Sequence, residues 1–221
     1  MSKRNYNRKD QLHQQAKSDG FRSRAAYKLL EIQKKYSLLR CGDVVLDIGC
    51  WPGGWLQVAA PIVGSKGLVA GIDTATTEPL SQNNIFIFKG DITIESDRSE
   101  FLNEILTRRL QIGSLISIAE EKVVFDSILS DASPKLSGIV EVDEAKCAEL
   151  AHHGLEIVHN HLKLKGHFVI KLFKNKEASR FTTECSRWFQ NAKAAELDSS
   201  RTTSKEFYLV ARGYRGGKRS V

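Results

Sequence analysis

Six short runs rich in β-branched and aromatic residues punctuate the chain: VVLDI (44–48), GLVAGI (67–72), NIFIF (84–88), FDSILS (125–130), HFVIKLF (167–173) and EFYLVA (206–211). Between them lie stretches of helical character near 54–63, 98–110, 143–163 and 177–191. Such alternation requires right-handed crossovers, and hence a mostly parallel sheet with helices on both faces. The expected fold is therefore α/β and Rossmann-like. SRAAYKLLEIQKKY (23–36) adds a helix before the first strand, with Ala26, Leu29, Leu30 and Ile32 on its apolar side and Ser23 as the expected N-cap. A chain of 221 residues accommodates one such domain, and a second full domain is not expected. Ligands of these sheets bind beyond the carboxyl ends of the strands. The residues just after each run therefore matter most.

The first run opens into DIGCWPGGW (47–55), where three glycines and a proline crowd a strand-to-helix turn. A dinucleotide fingerprint needs G-x-G-x-x-G, but Trp51 stands two positions after Gly49. A nucleoside-triphosphate loop needs G-x-x-x-x-G-K-[ST]; Gly49 and Gly54 match its spacing, yet Trp55 and Leu56 follow. Both phosphate readings fail, and Trp51 also disfavours a nicotinamide dehydrogenase. A glycine turn without phosphate machinery suits a flat, largely uncharged nucleoside. Asp73, ending the second run, can accept hydrogen bonds from both ribose hydroxyls. Asp91, in the KGD after the third, can receive an adenine amino group. Loop and acids together describe a pocket for S-adenosylmethionine, and hence a class I methyltransferase fold.

The acceptor of the methyl group leaves a different trace. The sequence contains neither an N-P-P-Y run suited to amine methylation nor a proline–cysteine nucleophile pair. Instead SDASPKLSG places Asp131 after the fourth run, Lys171 lies inside the fifth, Glu206 opens the last, and Lys28 sits on the early helix. An alcohol becomes a competent nucleophile when a positioned base takes its proton. A lysine with an unperturbed pKa of about 10.4 is neutral in only about one molecule in 2,500 at pH 7. Burial and a neighbouring cation both lower that value. Lys171 as base, with Lys28 and the sulfonium as neighbours, Asp131 as orienter and Glu206 holding Lys28 or the substrate ribose, meets the requirement.

Charge placement points to the partner. Residues 1–40 hold eleven Lys/Arg against Asp10, Asp19 and Glu31, a net of +8; the last twelve residues add +4, which leaves −5 for the rest of a chain whose total is +7. A mildly acidic body with basic ends fits a polyanion such as RNA. No apolar run is long enough to span a membrane, and the polar N-terminus lacks a secretory core. The four separated cysteines read as reduced thiols of an intracellular protein. Five of the six histidines lie at 152, 153, 159, 161 and 167 without convincing ligand spacing, and no metal is expected.

GFRSRAAYKLLEIQ, VLDIGCWPGGWLQV, GID, KGDIT, ILSDASPKLSG, HFVIKLF and SSRTTSKEFYLVA, in this order, resemble the FtsJ-like family of RNA ribose 2′-O-methyltransferases. The resemblance spans about Ala16 to Arg212 and implies a seven-stranded sheet, a monomer, and uridine of large-subunit ribosomal RNA as substrate. A tRNA anticodon loop, or a non-catalytic RNA-binding role in ribosome assembly, are the alternatives. The implied catalytic set falls on Lys28, Asp131, Lys171 and Glu206, with Lys171 as proton acceptor. Implied cofactor contacts fall on Gly53, Trp55, Asp73, Asp91 and Asp131. The adjoining Asp47, Gly49, Pro52, Gly54 and Ile92 complete the expected cofactor set. Trp51 stands where the family usually has a small residue, and Lys135 where asparagine is common. Arg22, Arg24, Lys135 and Arg201 are the expected RNA contacts. Residues 1–20 are expected to form a flexible basic arm, 21–212 the catalytic domain and 213–221 a basic tail. The implied compartment is the cytoplasm, with an organelle such as the mitochondrion left open.

Overall fold

The computed structural model describes residues 3–111, 124–134, 137–195, 197, 199 and 205–216. In chain order the elements are α1 (Lys3–Ser18), α2 (Ala25–Tyr36), β1 (Val44–Ile48), α3 (Gly54–Val63), β2 (Leu68–Asp73), β3 (Ile85–Lys89), α4 (Glu95–Gln111), β4 (Phe125–Ser130), α5 (Val140–His161), β5 (Leu162–Phe173), α6 (Lys176–Trp188), β6 (Phe189–Ala195) and β7 (Glu206–Tyr214). They build a seven-stranded sheet of order β3-β2-β1-β4-β5-β7-β6. Only β7 runs against its neighbours β5 and β6. The order reverses between β1 and β4, the crevice where such sheets take ligands. Among the described residues no helix is long and apolar enough to cross a membrane.

Side chains alternate across the sheet with a period of two. Val45, Val69, Leu129, Val169, Tyr208 and Val210 pack under α2 and α3. Leu46, Ala70, Ile128, Phe168, Ile170 and Leu209 pack on the opposite face with Phe101 of α4, Leu155 of α5 and Phe181 of α6. Continuing the first series by two residues past Val45, Leu129 and Val169 reaches Asp47, Asp131 and Lys171. Stepping back two from Tyr208 reaches Glu206. All four thus end up on the α2 face at one rim.

Several boundaries depart from the sequence reading. The expected N-terminal arm is helical over Lys3–Ser18, and Ala16 is buried. Arg24, not Ser23, occupies the N-cap position of α2 and makes no side-chain cap. Ser23 lies against Gly54 instead, where a methyl group on the glycine would strike its hydroxyl. β5 begins five residues before the expected run, and β7 continues to Tyr214. Residues 189–191, expected as the end of a helix, open strand β6. Lys135 and Arg201 lie outside the described residues.

Candidate active site

The glycine turn is shaped by close approach. Gly49 has φ +79°, and a Cβ there would come within 2.6 Å of Ala132 Cα. Absence of a side chain therefore seats the β4 loop, with Asp131, directly on the turn. Gly53 has φ +110°, a conformation that suits glycine, and its missing Cβ leaves room for the Arg22 side chain. Asp73 secures the turn from β2: its Oδ2 accepts the Trp51 N–H at 2.9 Å and its Oδ1 the Ala75 N–H at 2.8 Å. Asp91 uses Oδ1 for the Thr93 N–H and hydroxyl, at 2.9 and 2.7 Å. Ile92 and Gly54 are buried, Pro52 is partly buried, and the Trp51 indole is 58% exposed on the rim. Trp55 is committed elsewhere. Its indole N–H donates to Ala25 O at 2.8 Å and its ring lies 5.7 Å from that of Tyr208, so it forms a packed wall between α2 and β7.

Beside the turn, the four expected catalytic residues converge. Lys171 Nζ donates to the main-chain oxygen of Asp131 at 2.5 Å and stands 3.2 Å from its Oδ1. Lys28 Nζ is 3.6 Å from Glu206 Oε2. A fifth residue joins the two pairs. Tyr208, directly across the ladder from Lys171, accepts from Lys28 Nζ at 3.0 Å and donates to Asp131 Oδ1 at 2.5 Å. Burial first, then the Asp131 charge, hold its hydroxyl proton well above the ordinary tyrosine range, so Tyr208 is a fixed donor. Sequence reading passed over it as an apolar member of EFYLVA. The available signal was its place two residues after Glu206, on the same face.

Arg22, expected on RNA phosphate, is turned into the protein. Its guanidinium donates to the carbonyls of Pro52, Glu78 and Pro79 at 3.2, 2.5 and 2.6 Å, and its own N–H donates to Gln57 Oε1. Three carbonyls on two loops take up the fork, which ties the glycine turn to the segment after β2. Arg24 lies close enough to act electrostatically on Tyr208. Among the described residues no group of three or more potential metal ligands converges. His159 faces the Tyr214 hydroxyl at 2.9 Å.

The pattern of the FtsJ-like methyltransferase family matches residues 21–214. The chain belongs to that family. It is 37% identical over 211 residues to the ribosomal RNA large subunit methyltransferase E of Methanocaldococcus jannaschii, covering 96% of this chain and 81% of that one. The protein of the same name from Methanothermobacter thermautotrophicus is 34% identical, with 95% and 92% covered. Among solved structures, a Plasmodium falciparum protein described as a ribosomal RNA methyltransferase superposes with TM-score 0.70 at 27% identity, over 89% of this chain and all of that one. The fibrillarin of Methanococcus jannaschii shares the fold, with TM-score 0.53 at 16% identity over 81% and 69%.

As a member of this family the chain is an S-adenosylmethionine-dependent methyltransferase, and the residues fit that cofactor. Asp47 is 1% exposed, and neither carboxylate oxygen has a hydrogen-bond partner among the described residues. Burial, then Asp131 and Asp73, push its carboxyl well above the usual range. A buried, unpartnered carboxylate is unfavourable unless a cation meets it, and this cofactor carries two positive centres. Each Asp73 oxygen retains a lone pair for a ribose hydroxyl, and Asp91 Oδ2 remains for an amino group.

Proposed function

We propose that the chain methylates a ribose 2′-hydroxyl of RNA, specifically a uridine of large-subunit ribosomal RNA, as a monomer and with Lys171 as the base. The observation that carries this reading is the ladder Glu206–Lys28–Tyr208–Asp131–Lys171 beside the cofactor turn. The names of the archaeal relatives support the choice of RNA. S-adenosylmethionine supplies an electrophilic methyl group on its sulfonium.

The chain's own residues supply the rest. A neutral amine has two N–H bonds and one lone pair. Asp131 offers Lys171 two acceptors, the main-chain oxygen at 2.5 Å and Oδ1 at 3.2 Å. With both N–H bonds so directed, the lone pair is left to take the hydroxyl proton as the oxygen attacks. Lys28 is held by Glu206 at 3.6 Å and by the Tyr208 hydroxyl at 3.0 Å. Tyr208 keeps Asp131 from rotating away.

Lys171→Ala is expected to reduce methyl transfer to large-subunit ribosomal RNA by about 10²–10⁴-fold. Cofactor affinity should stay within about twofold. Lys171→Arg should not rescue, because guanidinium remains protonated. Transfer of labelled methyl groups, with mapping of 2′-O-methylated positions, measures this. Undiminished transfer by Lys171→Ala would sink the assignment, and methylation confined to tRNA would redirect the substrate.

A further inference from the structure

Of the seven large apolar side chains exposed among the described residues, five (Trp51, Ile94, Ile139, Val140 and Val142) belong to segments that leave β1, β3 or β4. Exposed apolar surface is thus gathered at the rim that carries the site. Trp51 is the largest of the five. The other two tryptophans of the chain are packed: Trp55 donates to Ala25 O and lies against Tyr208, and Trp188 has the His159 ring 4.7 Å away. Trp51 is fixed through its backbone, whose N–H donates to Asp73 Oδ2 at 2.9 Å, while its indole is 58% exposed. Tryptophan is highly buried on average. An indole held in water beside the Asp73 carboxylate calls for an occupant.

We propose that the Trp51 indole lies on the adenosine of bound S-adenosylmethionine as a stacking lid. The inference rests on the cofactor ribose sitting at Asp73 and adds one residue to that site. Reach supports it. The hydrogen bond to Asp73 sets the Trp51 Cα about 4 Å from the oxygen that a ribose hydroxyl would share. An indole is longer than a ribose is wide, so from that anchor it covers the sugar and the near edge of adenine. A nucleoside resting on the rim turns its inner face to buried groups such as Ile92 and its outer face to water. An exposed ring meets the outer face. Stacking asks for nothing more specific, because every base has a π-face. An RNA base is the competing occupant, and distance disfavours it. In the sheet, β5 with Lys171 is three places from β2, roughly 14 Å at about 4.8 Å per strand.

Titrations of the full chain with S-adenosylmethionine and S-adenosylhomocysteine, read by calorimetry and by tryptophan emission, test this. Trp51→Ala is expected to raise the Kd of both ligands about tenfold, the size of one base–aromatic stack. Trp51→Phe, which keeps a smaller ring, should lose about threefold. S-adenosylhomocysteine should change the emission of wild type and leave that of Trp51→Phe nearly flat, since Trp55 and Trp188 are already packed. Tm and the RNA KM should hold in both variants, a pattern that a merely structural role would not give. Equal affinities in wild type and a folded Trp51→Ala overturn the proposal. So does a loss confined to S-adenosylmethionine, which would put the indole on the sulfonium. A raised RNA KM with cofactor affinity intact overturns it too, in favour of an RNA base. If Trp51→Ala does not fold, an emission change that persists in Trp51→Phe overturns it. Failure of the underlying placement looks different: Asp73→Ala would bind S-adenosylhomocysteine as wild type does, and the lid would fall with it.

Discussion

Asp47 concentrates the tension between stability and function in one side chain. Its carboxylate is sealed under the glycine turn without a hydrogen-bond partner among the described residues, and burial raises its pKa above the unfolded value. The folded state therefore holds this proton more tightly than the unfolded chain. The associated stability is complete below the unfolded value near 3.9 and is lost as pH rises through the elevated folded value. Asp47→Asn removes the buried charge. The cofactor-free variant should melt above wild type, by roughly 2–4 °C per kcal/mol relieved, with a gap that widens from pH 4 to pH 8. Added S-adenosylmethionine should stabilise wild type and fail to stabilise the variant. Calorimetry across that pH range decides it, and a variant less stable at pH 8 would show that the carboxylate is partnered after all. At this scale the sequence was readable where chemistry and periodicity agreed. Asp131, Lys171 and Glu206 stand at strand ends on one face, and the polar residue in an apolar run is conspicuous. Tyr208 was not, because a tyrosine amid Phe, Leu and Val reads as core, and its hydroxyl's partner lies 77 positions away.

Between elements, the site depends on fixed loops, and Arg22 shows how. Its guanidinium joins the turn before α3 to the segment after β2 through three carbonyls. Hydrogen bonds to charged groups contribute about 1.5–3 kcal/mol when buried, but two of these are exposed. Arg22→Ala is therefore expected to lower stability by only about 1–2 kcal/mol. It should weaken cofactor binding about tenfold, since both tethered segments flank Asp73. The salt dependence of RNA binding should stay as in wild type, because the lost cation was facing carbonyls. Denaturant melts, cofactor titrations and an RNA salt series measure the three quantities. A flatter salt slope would return Arg22 to the RNA surface. An arginine in a basic N-terminal stretch gives no local sign that distant carbonyls will claim it. β6 was hidden for a related reason. FQNAKAA has no β-branched residue, and it is extended because it lies along β7 as the outer strand, a tertiary context that overrides propensity. The parallel strands β1–β4 needed no such help, since buried strands write their own apolar runs.

For the molecule as a whole, charge is segregated along the chain, with +8 in the first 40 residues and −5 between residues 41 and 209. RNA affinity built on such ends falls with salt by about 0.7–0.9 log units per neutralised phosphate for each log unit of salt. Helix α1 carries Lys3, Arg4, Arg8 and Lys9 against Asp10. Its carboxyl end is part of the body: Ala16 is buried, the Phe21 N–H donates to Ala16 O, and Tyr27 donates to Asp19. A truncation that tests RNA binding without unseating the domain therefore removes residues 1–11 and leaves Ala16 and Asp19 in place. The truncated chain is expected to bind S-adenosylmethionine as the full chain does and to keep its turnover at saturating RNA. Its KM for RNA should rise about tenfold or more at low salt, and its log–log slope should fall by up to about three. The gap between the two proteins should close as salt rises, because the term removed is the one that salt screens. Equal slopes would show that these four cations neutralise no phosphate. Loss of cofactor binding would show instead that the helix supports the fold beyond Ala16.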